Sequence, residues 1–199
     1  MRGWRSCSPW RAIPQSRDAR YILVVRDPKD VLVSSYHFLK GAIAGPLMPR
    51  LATWHQAFLS EHFPPGRWAE HAAGYWSARS NSNVYFVSFK ELMSDLRSIV
   101  AEIAQFLDVS LSHDELELVC ERSTFKSMKR DGKKFAPGIV TPLSELTTPM
   151  LRSGKQGASG SLLTNEQQIR IDETMLTALA ELGSNFDWAR TCDSPHQQS

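Results

Sequence analysis

The chain has 199 residues, of which 42% are hydrophobic, 22% charged and 10% aromatic, so it can build one domain with a sizeable core and is not generally disordered. Its net charge of +2 demands neither a nucleic-acid nor a membrane partner, and no apolar run approaches the length that spans a bilayer. Cys7, Cys120 and Cys192 are odd in number and widely spaced, which suggests neither a disulfide framework nor a metal site; a reducing, cytoplasmic compartment is the simplest inference.

In chain order, residues 1–18 show no period. They are rich in Arg but lack the continuous apolar core of a secretory signal, so they are set aside as a leader of uncertain origin. Tyr21–Val25 is a short β-branched run, the pattern of a strand buried on both faces. The pattern changes at Arg26. Asp27 suits an N-cap, Pro28 the first helical position and Asp30 the first turn, and Val31, Ser34, Ser35 and Phe38 recur at helical spacing. A strand that runs into a helix in this way leaves backbone N–H groups at the C-terminal edge of the sheet, where anions are favoured. Arg26 and Ser34 can both face that edge and hold a phosphate. An Arg at such a turn can equally pair with a carboxylate, and spacing leaves the two readings open.

Gly41–Pro49 reads as a loop and residues 51–63 as a helix carrying Trp54, Phe58 and Leu59, broken by Pro64-Pro65-Gly66. Trp68, Ala72, Tyr75 and Trp76 mark a further helix whose aromatic face belongs to a core, and His71 on it reads as structural. Residues 84–89 form a second buried strand after the turn Asn81-Ser82-Asn83. Asp95 opens an amphipathic helix with Leu96, Ile99, Val100, Ile103, Phe106 and Leu107 on one side, and Ser112-His113-Asp114-Glu115 is a capping box for the next. Ser123-Thr124-Phe125 reads either as a helix cap beside a core Phe or as an aromatic face with a neighbouring hydroxyl, suited to a purine. Residues 130–160 are loop-like. Thr164-Asn165-Glu166-Gln167 is a second capping box, opening a long helix that Gly183 stops, and the tail from 189 to 199 reads as loose.

Three separated segments, in order, resemble the cytosolic sulfotransferases. Arg26-Asp27-Pro28-Lys29-Asp30-Val31 with Ser34-Ser35-Tyr36-His37-Phe38 is similar to the family's 3′-phosphate segment. Ser123-Thr124-Phe125…Met128-Lys129 is similar to its adenine segment, and Arg152-Ser153-Gly154…Gly157 with Thr164 to the stretch that clasps the 3′-phosphate. The resemblance implies that Arg26, Ser34, Arg152, Ser153 and Gly154 hold the 3′-phosphate of 3′-phosphoadenylyl sulfate (PAPS), that Phe125 stacks on the adenine, and that Ser123 bonds a ring nitrogen. Departures are visible. Ser153 replaces a Lys, Phe89-Lys90-Glu91 stands where the family has Tyr-Glu-Asp, and Gly160, Asn165 and Ile169 degrade the dimer motif, which leaves a homodimer open.

The resemblance runs from Ile13 to Trp188, the C-terminal two-thirds of such an enzyme. It implies an α/β fold, a three-layer α/β/α P-loop-nucleotidase-like parallel sheet, lacking the N-terminal strand and phosphate loop, with 19–188 as a partial domain. The family's Lys-Ser-Gly cradle loop and Thr-His-Leu base occur nowhere in the sequence, and no His precedes His37, so no catalytic residue is assigned. The implied activity of a full-length parent is sulfuryl transfer from PAPS to a hydroxyl or amine of a small acceptor without a metal, this chain alone being impaired. The alternative is a non-catalytic nucleotide-binding or interaction module. Neither nucleic acid nor membrane is an expected partner.

Overall fold

The computed structural model describes residues 10–63, 66–135, 141–143 and 158–193. Strand β1 (Tyr21–Val25) pairs in parallel with β2 (Val84–Ser88), in register from Tyr21 opposite Val84 to Val25 opposite Ser88. A parallel pair needs a crossover, and here it is helical: α1 (Pro28–Leu39), α2 (Leu51–Leu59) and α3 (Trp68–Ala78) lie between the strands. After β2 come α4 (Phe89–Ser94), α5 (Leu96–Phe106), α6 (His113–Ser123), α7 (Phe125–Arg130), α8 (Asn165–Glu181) and the single turn α9 (Trp188–Thr191). The helix starts follow the local chemistry. Asp27, Asp95 and Thr124 cap through their side chains, and Ser112 and Thr164 close the two expected capping boxes. A third box, Ser88 with Glu91, turns the residues after β2 straight into α4.

Several expectations need correction. β1 is buried on one face only: Leu23 is 4% and Val25 1% exposed, whereas Ile22 and Val24, which point to the opposite face, are 40% and 43% exposed. The helix expected over residues 51–63 ends at Leu59. Residues 40–47 are not a plain loop but a π-helical turn and then a 3-10 turn, which extend α1. The bend that follows requires glycine: Gly45 has φ +50° and a Cβ there would lie 2.1 Å from the Leu143 carbonyl oxygen.

The boundaries at 18 and 188 also differ from the packing. Trp10 stands edge-on to Tyr21 (5.2 Å between ring centroids) and Tyr75 (6.3 Å), so the region set aside as a leader reaches the core. At the other end Thr191 and Cys192 are buried, and the tail is packed through Asp193. The core joins Leu23, Val25, Leu32 and Val33 to Trp68, Ala72 and Trp76 of α3 and to Ile171, Met175 and Leu179 of α8. The stripe on α8 recurs every three or four residues, as an amphipathic helix requires. Among the described residues no helix is long and apolar enough to cross a membrane.

Candidate functional site

The junction of β1 and α1 carries a dense set of hydrogen bonds and ion pairs. The Asp27 carboxylate accepts the Lys29 N–H at 2.8 Å, the helix-capping bond, and Pro28 has no N–H to offer. Two of the first donor positions of α1 are therefore closed, and with Asp27 in place its N-terminus is less open than the backbone cradle that the sequence pattern suggests. Anion binding at this edge rests on side chains as well.

Arg26 supplies one. Its Nη2 lies 3.0 Å and its Nε 3.4 Å from Asp30 Oδ2, and its guanidinium stands 4.5 Å from the centroid of the Phe89 ring. Both readings of Arg26 thus meet in one side chain. It is paired with a carboxylate one helical turn away, yet it is 29% exposed and its Nη1 has no hydrogen bond among the described residues. A guanidinium oriented by a carboxylate and an aromatic face presents its remaining donors in a fixed direction, which suits a phosphate oxygen. The Trp68 Nε1–H donates to the Arg26 carbonyl at 2.9 Å and fixes the backbone of the turn from the core side.

Ser34, two turns into α1, is exposed and its hydroxyl is not bonded among the described residues. Ser35 is the opposite case: its hydroxyl donates to the Leu32 carbonyl and accepts from Trp54 Nε1. Of the two neighbouring serines, Ser34 is the one available to a ligand.

Ser123 and Phe125 lie at the α6–α7 junction. The Thr124 hydroxyl between them is committed, accepting the Ser127 N–H at 3.3 Å and donating to the Glu121 carbonyl at 2.7 Å. Ser123 is left exposed at the end of α6, and Phe125 is half-buried at the start of α7 with the Lys129 ammonium 5.9 Å from its ring. Arg152, Ser153 and Gly154 lie outside the described residues. The 3-10 turn Ala158–Ser161, which follows them in sequence, packs against α1.

The residues that sequence reasoning missed are those behind the turn. The Lys29 ammonium is buried, 2.6 Å from Asp172 Oδ1 on α8 and 3.2 Å from Asp27 Oδ2, and it donates to the Asp193 carbonyl at 2.8 Å. Burial pulls its pKa down, but Asp27 and Asp172 outweigh that and leave it above the ordinary value. Burial pushes the Asp27 and Asp172 carboxyls above the ordinary carboxylate range, against the opposing pull of Lys29. Two signals in the sequence point to this cluster: a Lys in the first turn of a helix, where a cation opposes the helix dipole, and an Asp inside the apolar stripe Ile171–Met175–Leu179.

Against known proteins, residues 5–183 match the family model of the sulfotransferase domain. The amine sulfotransferase of Oryctolagus cuniculus is 27% identical over 188 residues, covering 90% of this chain and 62% of that protein. The luciferin sulfotransferase of Photinus pyralis is 33% identical over 183 residues (89% and 48%), and the 3-beta-hydroxysteroid sulfotransferase of Cavia porcellus 37% identical over 142 (71% and 50%). This chain thus spans about half to three-fifths of the length of these relatives. A crystal structure of mouse sulfotransferase SULT7A1 complexed with PAP superimposes with a TM-score of 0.69 at 23% identity, covering 83% of this chain and 60% of that one. A crystal structure of retinol dehydratase in complex with androsterone and inactive cofactor PAP gives 0.68 at 22% identity, covering 80% and 47%.

Proposed function

The chain belongs to the sulfotransferase domain family, and from that premise we propose that it forms the nucleotide-holding part of a PAPS-dependent sulfotransferase of the cytoplasm. The observation that carries the proposal is the state of the β1–α1 turn: Arg26 oriented by Asp30 and Phe89 with donors to spare, and Ser34 with an uncommitted hydroxyl. On this reading Arg26 and Ser34 take the 3′-phosphate together with Arg152, Ser153 and Gly154, Phe125 stacks on the adenine, and Ser123 bonds a ring nitrogen. The presence of PAP (3′,5′-bisphosphoadenosine) in the superimposed sulfotransferase supports the choice of nucleotide. The names of the relatives support a small acceptor bearing a hydroxyl or an amine.

In the reaction of the whole enzyme, a bond forms between sulfur and the acceptor oxygen or nitrogen. The bond from sulfur to the 5′-phosphate oxygen breaks, and the acceptor's proton passes to a base. The 199 residues contain neither a Lys-Ser-Gly cradle nor a Thr-His-Leu base, so the chain alone holds the nucleotide without turning it over. That same observation favours the second reading, a nucleotide-binding module without catalysis. Calorimetric titration with 3′,5′-bisphosphoadenosine tests the shared part. One-to-one binding tighter than about 1 mM (~4 kcal/mol) is expected, and no heat at millimolar ligand removes the proposal. An assay with PAPS and a phenol is expected to show no transfer; transfer by the purified chain would refute the impairment.

A further inference from the structure

We infer that the stretch Trp188–Asp193 is a clasp that positions the Arg26 turn, with Lys29, Asp172 and the Asp193 backbone as its positioning groups. What the turn binds rests on the nucleotide reading above; how it is held rests on geometry alone.

The clasp grips the turn from two sides. The Asp193 N–H donates to Asp27 Oδ2 at 2.9 Å, while the Asp193 carbonyl accepts from the Lys29 ammonium. The capping carboxylate of α1 is thereby shared between its own helix and the C-terminal segment. Lys29 in turn is anchored on Asp172, whose Oδ2 is buried without a hydrogen bond among the described residues. One ammonium thus serves two buried carboxylates and a carbonyl, and neither carboxylate can shift away without weakening the pairing of a buried charge. On the other side, the Trp188 ring lies 5.8 Å from the Trp68 ring, edge to face, and Trp68 bonds the Arg26 carbonyl. The two halves meet at the ends of the peptide that precedes Asp27.

The segment is fastened at its far side by α4. Lys90 Nζ donates to the carbonyls of Ala189 (3.2 Å) and Cys192 (3.3 Å) and pairs with Asp193 Oδ1 at 3.1 Å, while Arg190 Nε pairs with Glu91 Oε1 at 2.8 Å. Lys90 occupies the position at which the resembling family has Glu. A carboxylate there would face two carbonyl oxygens and the Asp193 carboxylate, so this fastening is a property of the present chain. Thr191 and Cys192, 1% and 2% exposed, fill the space beneath.

The test compares Asp193→Pro with Asp193→Ala in the full chain. Proline removes the N–H that bonds Asp27, and Cys192 already has the extended conformation that proline demands of its predecessor (φ −121°, ψ 159°). Alanine keeps that N–H and removes the side chain that pairs, partly exposed, with Lys90. The Trp68 indole N–H resonance reads the position of the turn without any ligand, and titration with 3′,5′-bisphosphoadenosine reads its consequence. Asp193→Pro is expected to move the indole resonance and weaken nucleotide binding by about tenfold, as for loss of one charge-assisted contact, while Asp193→Ala, which keeps both backbone bonds, has a clearly smaller effect on each. Asp172→Asn, which loosens Lys29 from the other end, is expected to follow the proline variant. Lowered melting temperatures with unchanged resonance and affinity in the proline and Asn variants would overturn the clasp and leave a purely structural role. If the wild-type chain binds no nucleotide, the functional reading falls and the indole resonance alone decides the clasp.

Discussion

Replacing Lys29 by Met is expected to lower the unfolding free energy by about 3–5 kcal/mol, because it strands two buried carboxylates that share one ammonium. For a domain of this length that corresponds to roughly 10 °C in melting temperature. The effect has a pH signature. Lys29 has a raised pKa in the folded chain, so its contribution is fully present below the ordinary lysine value of 10.5 and is lost as pH rises through the folded value. The wild type is therefore expected to lose stability above about pH 10.5, and Lys29→Met to lack that step. Asp27 and Asp172 also have raised folded values, so the protonated carboxyls are favoured by folding and their ionisation opposes it. Without Lys29 this burden is unrelieved, and Lys29→Met is expected to gain stability as pH falls from 7 toward 4. Urea unfolding of both proteins at pH 4, 7 and 11 reads all three effects. Equal stability of the two proteins at pH 7 would contradict the assignment of Lys29 as the counter-ion.

Arg26→Lys is expected to weaken binding of 3′,5′-bisphosphoadenosine by about 10- to 100-fold (~1.5–3 kcal/mol) while the melting temperature changes little. Lysine keeps the charge that Asp30, 3% exposed, requires. It lacks the planar fork that can contact Asp30 and a phosphate at once, and it stacks less well on Phe89. Alanine is the poorer probe here, since it would confound binding with loss of the Arg26–Asp30 pair. An unchanged affinity in the lysine variant would remove Arg26 from the site.

The local fold was legible wherever a residue's role is decided within one turn of itself. Asp27, Asp95, Ser112 and Thr164 cap helices because their side chains reach the N–H two or three residues on, a distance sequence fixes. Spacing and resemblance both singled out Ser34 rather than Ser35, and what neither could foresee is that Ser35 is spent on Leu32 and Trp54. What sequence could not supply is the long-range cluster. Lys29 and Asp172 are 143 positions apart, and Asp27 and Asp193 are 166 apart. Lys29 and Asp172 each stand out locally, as a cation in a first helical turn and an acid in an apolar stripe, but only tertiary packing makes them partners. The same cause defeated the reading of the tail, whose polar composition conceals that Asp193 supplies backbone bonds to the buried cluster of Asp27 and Lys29. The backbone cradle at the start of α1 is narrowed for a local reason: Pro28 has no N–H and Asp27 takes that of Lys29, so the residues that signal the helix start also close two of its donor positions.

The central claim is that the β1–α1 turn recognises a 3′-phosphate. It is tested most directly by titrating the chain with 3′,5′-bisphosphoadenosine and with adenosine 5′-monophosphate, which differ only in that group. Binding of the bisphosphate at least about tenfold tighter (~1.4 kcal/mol) is predicted; equal affinity for the two nucleotides would contradict it.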